Sequence, residues 1–129
     1  MPADELDAVD GGTVTFVNKF HVHASSEAFE RAFAETSAFM AEQDGFVRHT
    51  LLLHTDDAHT YLNIAQWRDA GAFRAAVAHA DFRPHAAALR ALSTSEPGLY
   101  EPLWSRDAPG GAGRDVVSAD PAAGRRDRS

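Results

Sequence analysis

Asn18, Asn63 and Trp67 are the residues of this sequence whose chemistry and spacing most need a reason. Asn18 is in phase with Phe16 and Phe20 in one alternating stretch, and Asn63 and Trp67 share a face with Tyr61 and Ala65 in another. An indole N–H only donates hydrogen bonds, whereas a carboxamide both donates and accepts. Beside apolar neighbours these groups lose water, and an unpaired one costs about 1–3 kcal/mol. Either neighbouring backbone satisfies them inside the core, or they serve a ligand oxygen in an otherwise apolar pocket.

The seven histidines raise the question of a metal. His21 and His23 lie two apart on a strand, so both rings point one way, but a metal needs a third ligand on that face and none is evident. His49 approaches only if the second strand has the right register. The expectation is no metal site. His79 and His85 flank a helix junction, and His85 is the better placed as a proton acceptor. No serine–histidine elbow and no paired carboxylates in a strand–helix cleft support hydrolase or glycosidase chemistry. Without cysteine there is no disulfide, thiolate nucleophile or thiolate metal site.

The elements that must position these residues follow from periodicity. Thr13 to His23 alternates with period two and reads as a strand. Ser25 and Ser26 cap a helix whose stripe is Phe29, Phe33, Thr36 and Met40, with Ala32 and Phe39 beside it. Asp44-Gly45 is expected to end it, the glycine in a left-handed cap. A strand from Phe46 to about His54 turns through Thr55 to Ala58 into another, Thr60 to Trp67. Asp69 caps a helix carrying Phe73, Val77 and Ala80. Phe82 and Pro84 interrupt it, and a further helix holds Ala86, Leu89, Arg90 and Leu92. Pro97-Gly98 leads into a last strand, Leu99 to Trp104.

The order β-α-β-β-α-β predicts an α+β, ferredoxin-like domain over residues 13–104: a four-stranded antiparallel sheet with its helices on one face. Residues 1–12 read as a disordered lead-in and 105–129 as a disordered tail, too poor in apolar residues to offset ordering. Gly110, Gly111 and Gly113 lack the flanking strand and helix of a phosphate loop. The middle strands are apolar on both faces, with Leu51 and Leu53 against Leu52, and Tyr61 and Ala65 against Leu62 and Ile64. A sheet face open to water should be polar. A second copy covers it most simply, because a two-fold contact needs one patch only, each buried side chain contributing about 1.5–3 kcal/mol.

A net charge of −7 gives nucleic acid no partner here. No apolar run approaches the roughly 20 residues of a membrane span, and the acidic start is unlike a secretory signal, so a cytoplasmic protein without membrane partners is expected.

The segment Asn63-Ile64-Ala65-Gln66-Trp67, followed by Ala72-Phe73-Arg74, resembles the antibiotic biosynthesis monooxygenase family of dimeric α/β barrels. Val17-Asn18-Lys19-Phe20, Asp44-Gly45-Phe46 and Phe82-Arg83 extend the likeness over roughly 13–104. Asn63, Trp67 and Leu89-Arg90-Ala91-Leu92 are similar to the anthrone-oxidising branch of aromatic polyketide pathways, whose tyrosine is Phe73 in this chain. The haem-degrading branch shares Asn18, but its tryptophan and histidine fall on Ala76 and Ala86, with His85 one place away. The resemblance implies a cofactor-independent oxygenase that acts with O2 on a planar, anthrone-type aromatic substrate. Asn63, Trp67 and Arg90 would stabilise developing negative charge, His85 would accept the proton, and Asn18, Phe16, Tyr61 and Phe73 would bind the substrate. Competing implications of the same scaffold are a polyketide cyclase, a haem-degrading enzyme and a non-catalytic, ligand-binding dimeric module.

Overall fold

Alternation over the first stretch becomes β1 (Val14–Val22) in a computed structural model that describes residues 13–110. The expected lead-in over 1–12 lies outside the described residues, as do 111–129 of the expected tail. There follow α1 (Ser26–Ala41), β2 (Phe46–Leu53), β3 (Thr60–Trp67), α2 (Ala70–Ala78), α3 (Phe82–Leu92) and β4 (Ser93–Tyr100). The strands form one sheet in the order β2-β3-β1-β4, every neighbouring pair antiparallel. This is the ferredoxin-like α+β arrangement.

Local chemistry accounts for most boundaries. The Ser25 hydroxyl accepts the Ala28 N–H at 3.0 Å and opens α1, which buries Phe29, Phe33 and Thr36. Asp69 does the same for α2, accepting from Ala72 N–H at 2.7 Å. Pro84 falls in the first turn of α3, where a missing N–H costs nothing.

Three expectations need correction. Helix α1 stops at Ala41, where Glu42 N–H bonds the Phe39 and Met40 carbonyls. Gly45 does take positive φ, 88°, but in the turn entering β2, where an added Cβ would stand 2.3 Å from Ala72 Cβ. Helix α2 is short: Ala80 lies beyond it, and it buries Ala72 and Ala76 while Phe73 and Val77 are half-buried. Strand β4 begins directly after α3, so Pro97 and Gly98 lie inside it. Edge position explains this, because β4 pairs with β1 alone and its other side needs no N–H. Gly98 makes room for the Tyr100 ring, which a Cβ would meet at 2.7 Å. Leu103 and Trp104 consequently fall past the strand and are 92% and 74% exposed.

The helices cover one sheet face in two clusters. Phe20, Val22 and Tyr61 pack with Phe29, Phe33 and Leu89; Val14, Ala65 and Trp67 pack with Ala72 and Ala76. On the opposite face Val17 pairs with Ile64 and Leu52 with Leu62, and Leu52 is 43% exposed. No helix among the described residues is long and apolar enough to cross a membrane.

Candidate active site

Register between β1 and β3 sets the site. Asn18 stands opposite Asn63, Phe16 opposite Ala65 and Val14 opposite Trp67, all on the helix-covered side. Trp67, 1% exposed, is fixed by edge contacts to Phe46 at 5.3 Å and Phe73 at 5.7 Å. Just past it, Arg68 ties β2 to α2: its backbone N–H bonds Gly45 O at 2.7 Å and its guanidinium reaches Asp44 and Asp69, each at 3.0 Å. Those two carboxylates raise the already high Arg68 pKa, and the bonds from Ala72 N–H and Arg68 lower that of Asp69.

Beneath the helices Asn18, Asn63, Phe16 and Trp67 line a cavity of about 80 Å³. Its walls are mostly apolar, with Phe16, Phe33, Met40, Phe46, Val77 and Phe82 around Asn18, Asn63, Thr36, His49 and Trp67. Thr36 is satisfied within α1, donating to Ala32 O at 2.9 Å. The two asparagines are not: Asn18 Oδ1 and Asn63 Oδ1 are buried without a hydrogen-bond partner. Backbone satisfaction, the alternative open in the sequence, is therefore absent at both oxygens, which leaves their hydrogen bonds to water or a ligand.

The other expected site residues divide. Phe16 lines the cavity, and Phe73 backs it, its ring 4.6 Å from that of Phe16. Arg90 is absent from its walls and lines an adjoining cavity of about 150 Å³, which shares Asn18, Phe20, Phe82 and Leu89 with the first. Tyr61 lies with the other cluster, its ring 4.8 Å from Phe29 and its hydroxyl donating to Glu30 Oε2 at 2.6 Å; it does not reach the asparagine cavity. His85 stacks on Phe39 at 5.4 Å and lines neither cavity, because its helical phase turns it toward α1. Ala76, the position of the haem-degrading tryptophan, is 2% exposed in the core. His21 lies 3.5 Å from Glu96 and 3.3 Å from the Thr60 hydroxyl, and no three metal-binding side chains gather among the described residues.

His49 is the site residue that sequence reasoning did not assign to the pocket. It opposes Ala65 across β2 and β3, lines the cavity and lies 2.6 Å from Ser37 Oγ through Nε2. Burial lowers its pKa from 6.5, favouring neutral imidazole. The available signal was its phase with Leu51 and Leu53, obscured by the irregularity between Phe46 and Arg48.

Comparison with known proteins shows the family. The family model for antibiotic biosynthesis monooxygenases matches residues 13–88. Deoxynogalonate monooxygenase of Streptomyces nogalater is 57% identical over 100 residues, spanning 78% of this chain and 85% of that protein. The crystal structure of SnoaB, a cofactor-independent oxygenase from the same organism, matches with a TM-score of 0.69 at 54% identity, covering 77% of this chain and 98% of that one. A conserved protein from Methanosarcina mazei, 13% identical with a TM-score of 0.65 over 74% of this chain and 99% of its own, shares the fold alone. The chain belongs to the antibiotic biosynthesis monooxygenase family.

Proposed function

We propose that this chain is a cofactor-independent oxygenase that uses O2 to oxidise the acidic methylene of a planar, anthrone-type polyketide substrate, working as a cytoplasmic homodimer. The observation that carries this reading is the facing pair Asn18 and Asn63, with unspent amide capacity inside an apolar cavity beside Trp67. The 57% identity to deoxynogalonate monooxygenase supports the same chemistry.

An anthrone methylene is acidic because an aryl ketone delocalises the resulting charge. Loss of the proton leaves a carbanion that passes one electron to O2. The carbon radical and superoxide then join in a C–O bond, the peroxide takes up a proton, and loss of water leaves a carbonyl. One CH2 and one O2 thus become one C=O and one H2O, and the substrate supplies all the electrons. The protein's task is electrostatic. The Trp67 indole N–H and the Asn63 amide donate toward the oxygen on which charge develops. Asn18 orients a polar ring edge, and the phenylalanine walls hold the ring and exclude water.

A flat tricyclic ligand needs more room than the inner cavity gives, since such sites usually span roughly 300–1,000 Å³. The ring therefore extends past Phe82 into the adjoining cavity, where Arg90 is the charged side chain among the walls and faces an anionic substituent. The dimer buries the second sheet face, where Leu52, Leu62, Ile64 and Val17 otherwise meet water.

The test is aerobic turnover of dithranol by chelator-treated protein, followed by O2 uptake. One O2 should be consumed per ring, and Asn63→Ala and Trp67→Phe should be slower by about a hundredfold, the usual cost of one oxyanion donor. Wild type no faster than buffer across several anthrones, or activity lost to the chelator and restored by metal, would refute the reading. A Soret band on haem titration would favour the haem-degrading alternative. Sedimentation tests the dimer, and Leu52→Glu should yield single subunits.

A further inference from the structure

The proposed oxidation needs a proton acceptor, and His85, the residue first expected to serve, faces Phe39 outside both cavities. His49 lies on the wall of the inner cavity itself. Its ring is held on two sides, at 5.4 Å from Phe33 and perpendicular to Phe46 at 5.2 Å, so it has little rotational freedom. Nε2 is 2.6 Å from Ser37 Oγ, whereas Nδ1 makes no hydrogen bond among the described residues.

We propose that His49 is the base that takes the substrate's methylene proton on Nδ1, and that Ser37 is a positioning residue that keeps the other ring proton on Nε2. The assignment rests on the oxygenase reading above. In the starting state Nε2–H donates to Ser37 Oγ and Nδ1 keeps a lone pair. The C–H bond breaks, its electron pair stays on the substrate carbon, and the proton joins Nδ1. In the imidazolium both nitrogens are donors, so Ser37 Oγ accepts in both states and nothing need turn during the transfer. The same proton then returns to the peroxide, and His49 ends neutral.

No charged side chain faces this ring within the cavity. α1 presents Phe33, Thr36, Ser37 and Met40, the strands present Phe46, Asn18, Asn63, Ala65 and Trp67, and α2 and α3 present Val77, Phe82 and Leu89. Desolvation is accordingly the cause that depresses the pKa, and the neutral, proton-accepting form prevails at neutral pH. Turnover should fall on the acid side as the ring protonates, below the ordinary histidine range.

The experiment compares wild type, His49→Gln, Ser37→Ala and Ser37→Thr with dithranol and its methylene-deuterated form, alongside ¹⁵N NMR of the imidazoles. Loss of the base should lower kcat in His49→Gln by about a hundredfold or more, abolish the acid limb and expose a primary isotope effect, while anaerobic dithranol binding is unchanged. Ser37→Ala should lower kcat by about tenfold and move the acid limb, and Ser37→Thr should recover both. NMR should show the Nε2–H tautomer of His49 in wild type and a mixture in Ser37→Ala, a readout that does not require the glutamine variant to fold. His49→Gln with wild-type kcat and pH profile, or a wild-type Nδ1–H tautomer, would overturn the assignment and leave the oxygenase reading intact. Absence of wild-type turnover on every anthrone would overturn both.

Discussion

The space between sheet and helices has two ends that solve the burial problem differently. At one end Phe20, Phe29, Phe33, Tyr61 and Leu89 interlock, and the polar tip of Tyr61 reaches Glu30 at 2.6 Å. At the other, Trp67 and Phe16 border a hollow, and Asn18 and Asn63 hold buried oxygens that no protein group bonds. The amides stand mid-strand, between the pairs Phe20–Tyr61 and Phe16–Ala65, where the filled region gives way to the hollow one. The first end supplies stability. The second keeps two amide oxygens that no protein group satisfies, so it is where function should be sought.

Substitutions in the two ends should therefore differ in sign as well as size. The largest effect is expected from Phe29→Ala, because Phe29 is fully buried in the filled end. Urea unfolding should show a loss of about 3–5 kcal/mol, with turnover per folded molecule retained. Asn63→Leu should do the reverse, raising stability by about 1–3 kcal/mol as an orphaned oxygen is replaced by hydrocarbon, while oxidation of anthrones collapses. If that variant is less stable than wild type, the amide is bonded in solution and the contrast fails. Tyr61→Phe should cost about 0.5–1.5 kcal/mol for the lost bond to Glu30 and leave turnover near wild type, since its ring stays on Phe29.

The smallest expected effect is on the pH dependence of stability. Burial holds the folded pKa of His49 below its ordinary 6.5, so the unfolded chain binds the proton more readily. Stability from this source is complete above pH 6.5 and is lost as pH falls from there through the folded value. Thermal melts of wild type and His49→Gln should converge toward acid pH. Parallel curves over that window would place His49 in water.

Much of this was legible because alternation survives wherever one sheet face is covered. Asn18 in phase with Phe16 and Phe20, and Asn63 with Trp67, point to a common wall by alternation alone, and Ser25 and Asp69 announce their helices by side-chain chemistry. Pro97-Gly98 misled because a turn signal and an edge-strand proline look alike in one dimension; which applies depends on whether a neighbour needs the N–H. His49 was hidden by the run Leu51-Leu52-Leu53, which has no alternation, and by the irregularity preceding it. Arg90 and His85 came from helix spacing and resemblance, and helix phase near the Phe82–Pro84 break is too uncertain in sequence to say which side chain turns inward. Only the packing of α3 against α1 settles that His85 meets Phe39 while Arg90 borders the outer cavity.

The most direct test of the hollow end uses its own indole. The chain has two tryptophans, so Trp104→Phe leaves Trp67 as the sole indole reporter. Titrated with dithranol without oxygen, that protein should lose emission saturably at one ring per chain, and adding Asn18→Ala with Asn63→Ala should abolish the response. Trp67 emission that stays constant under an anthrone which the same protein oxidises in air would place the reaction elsewhere.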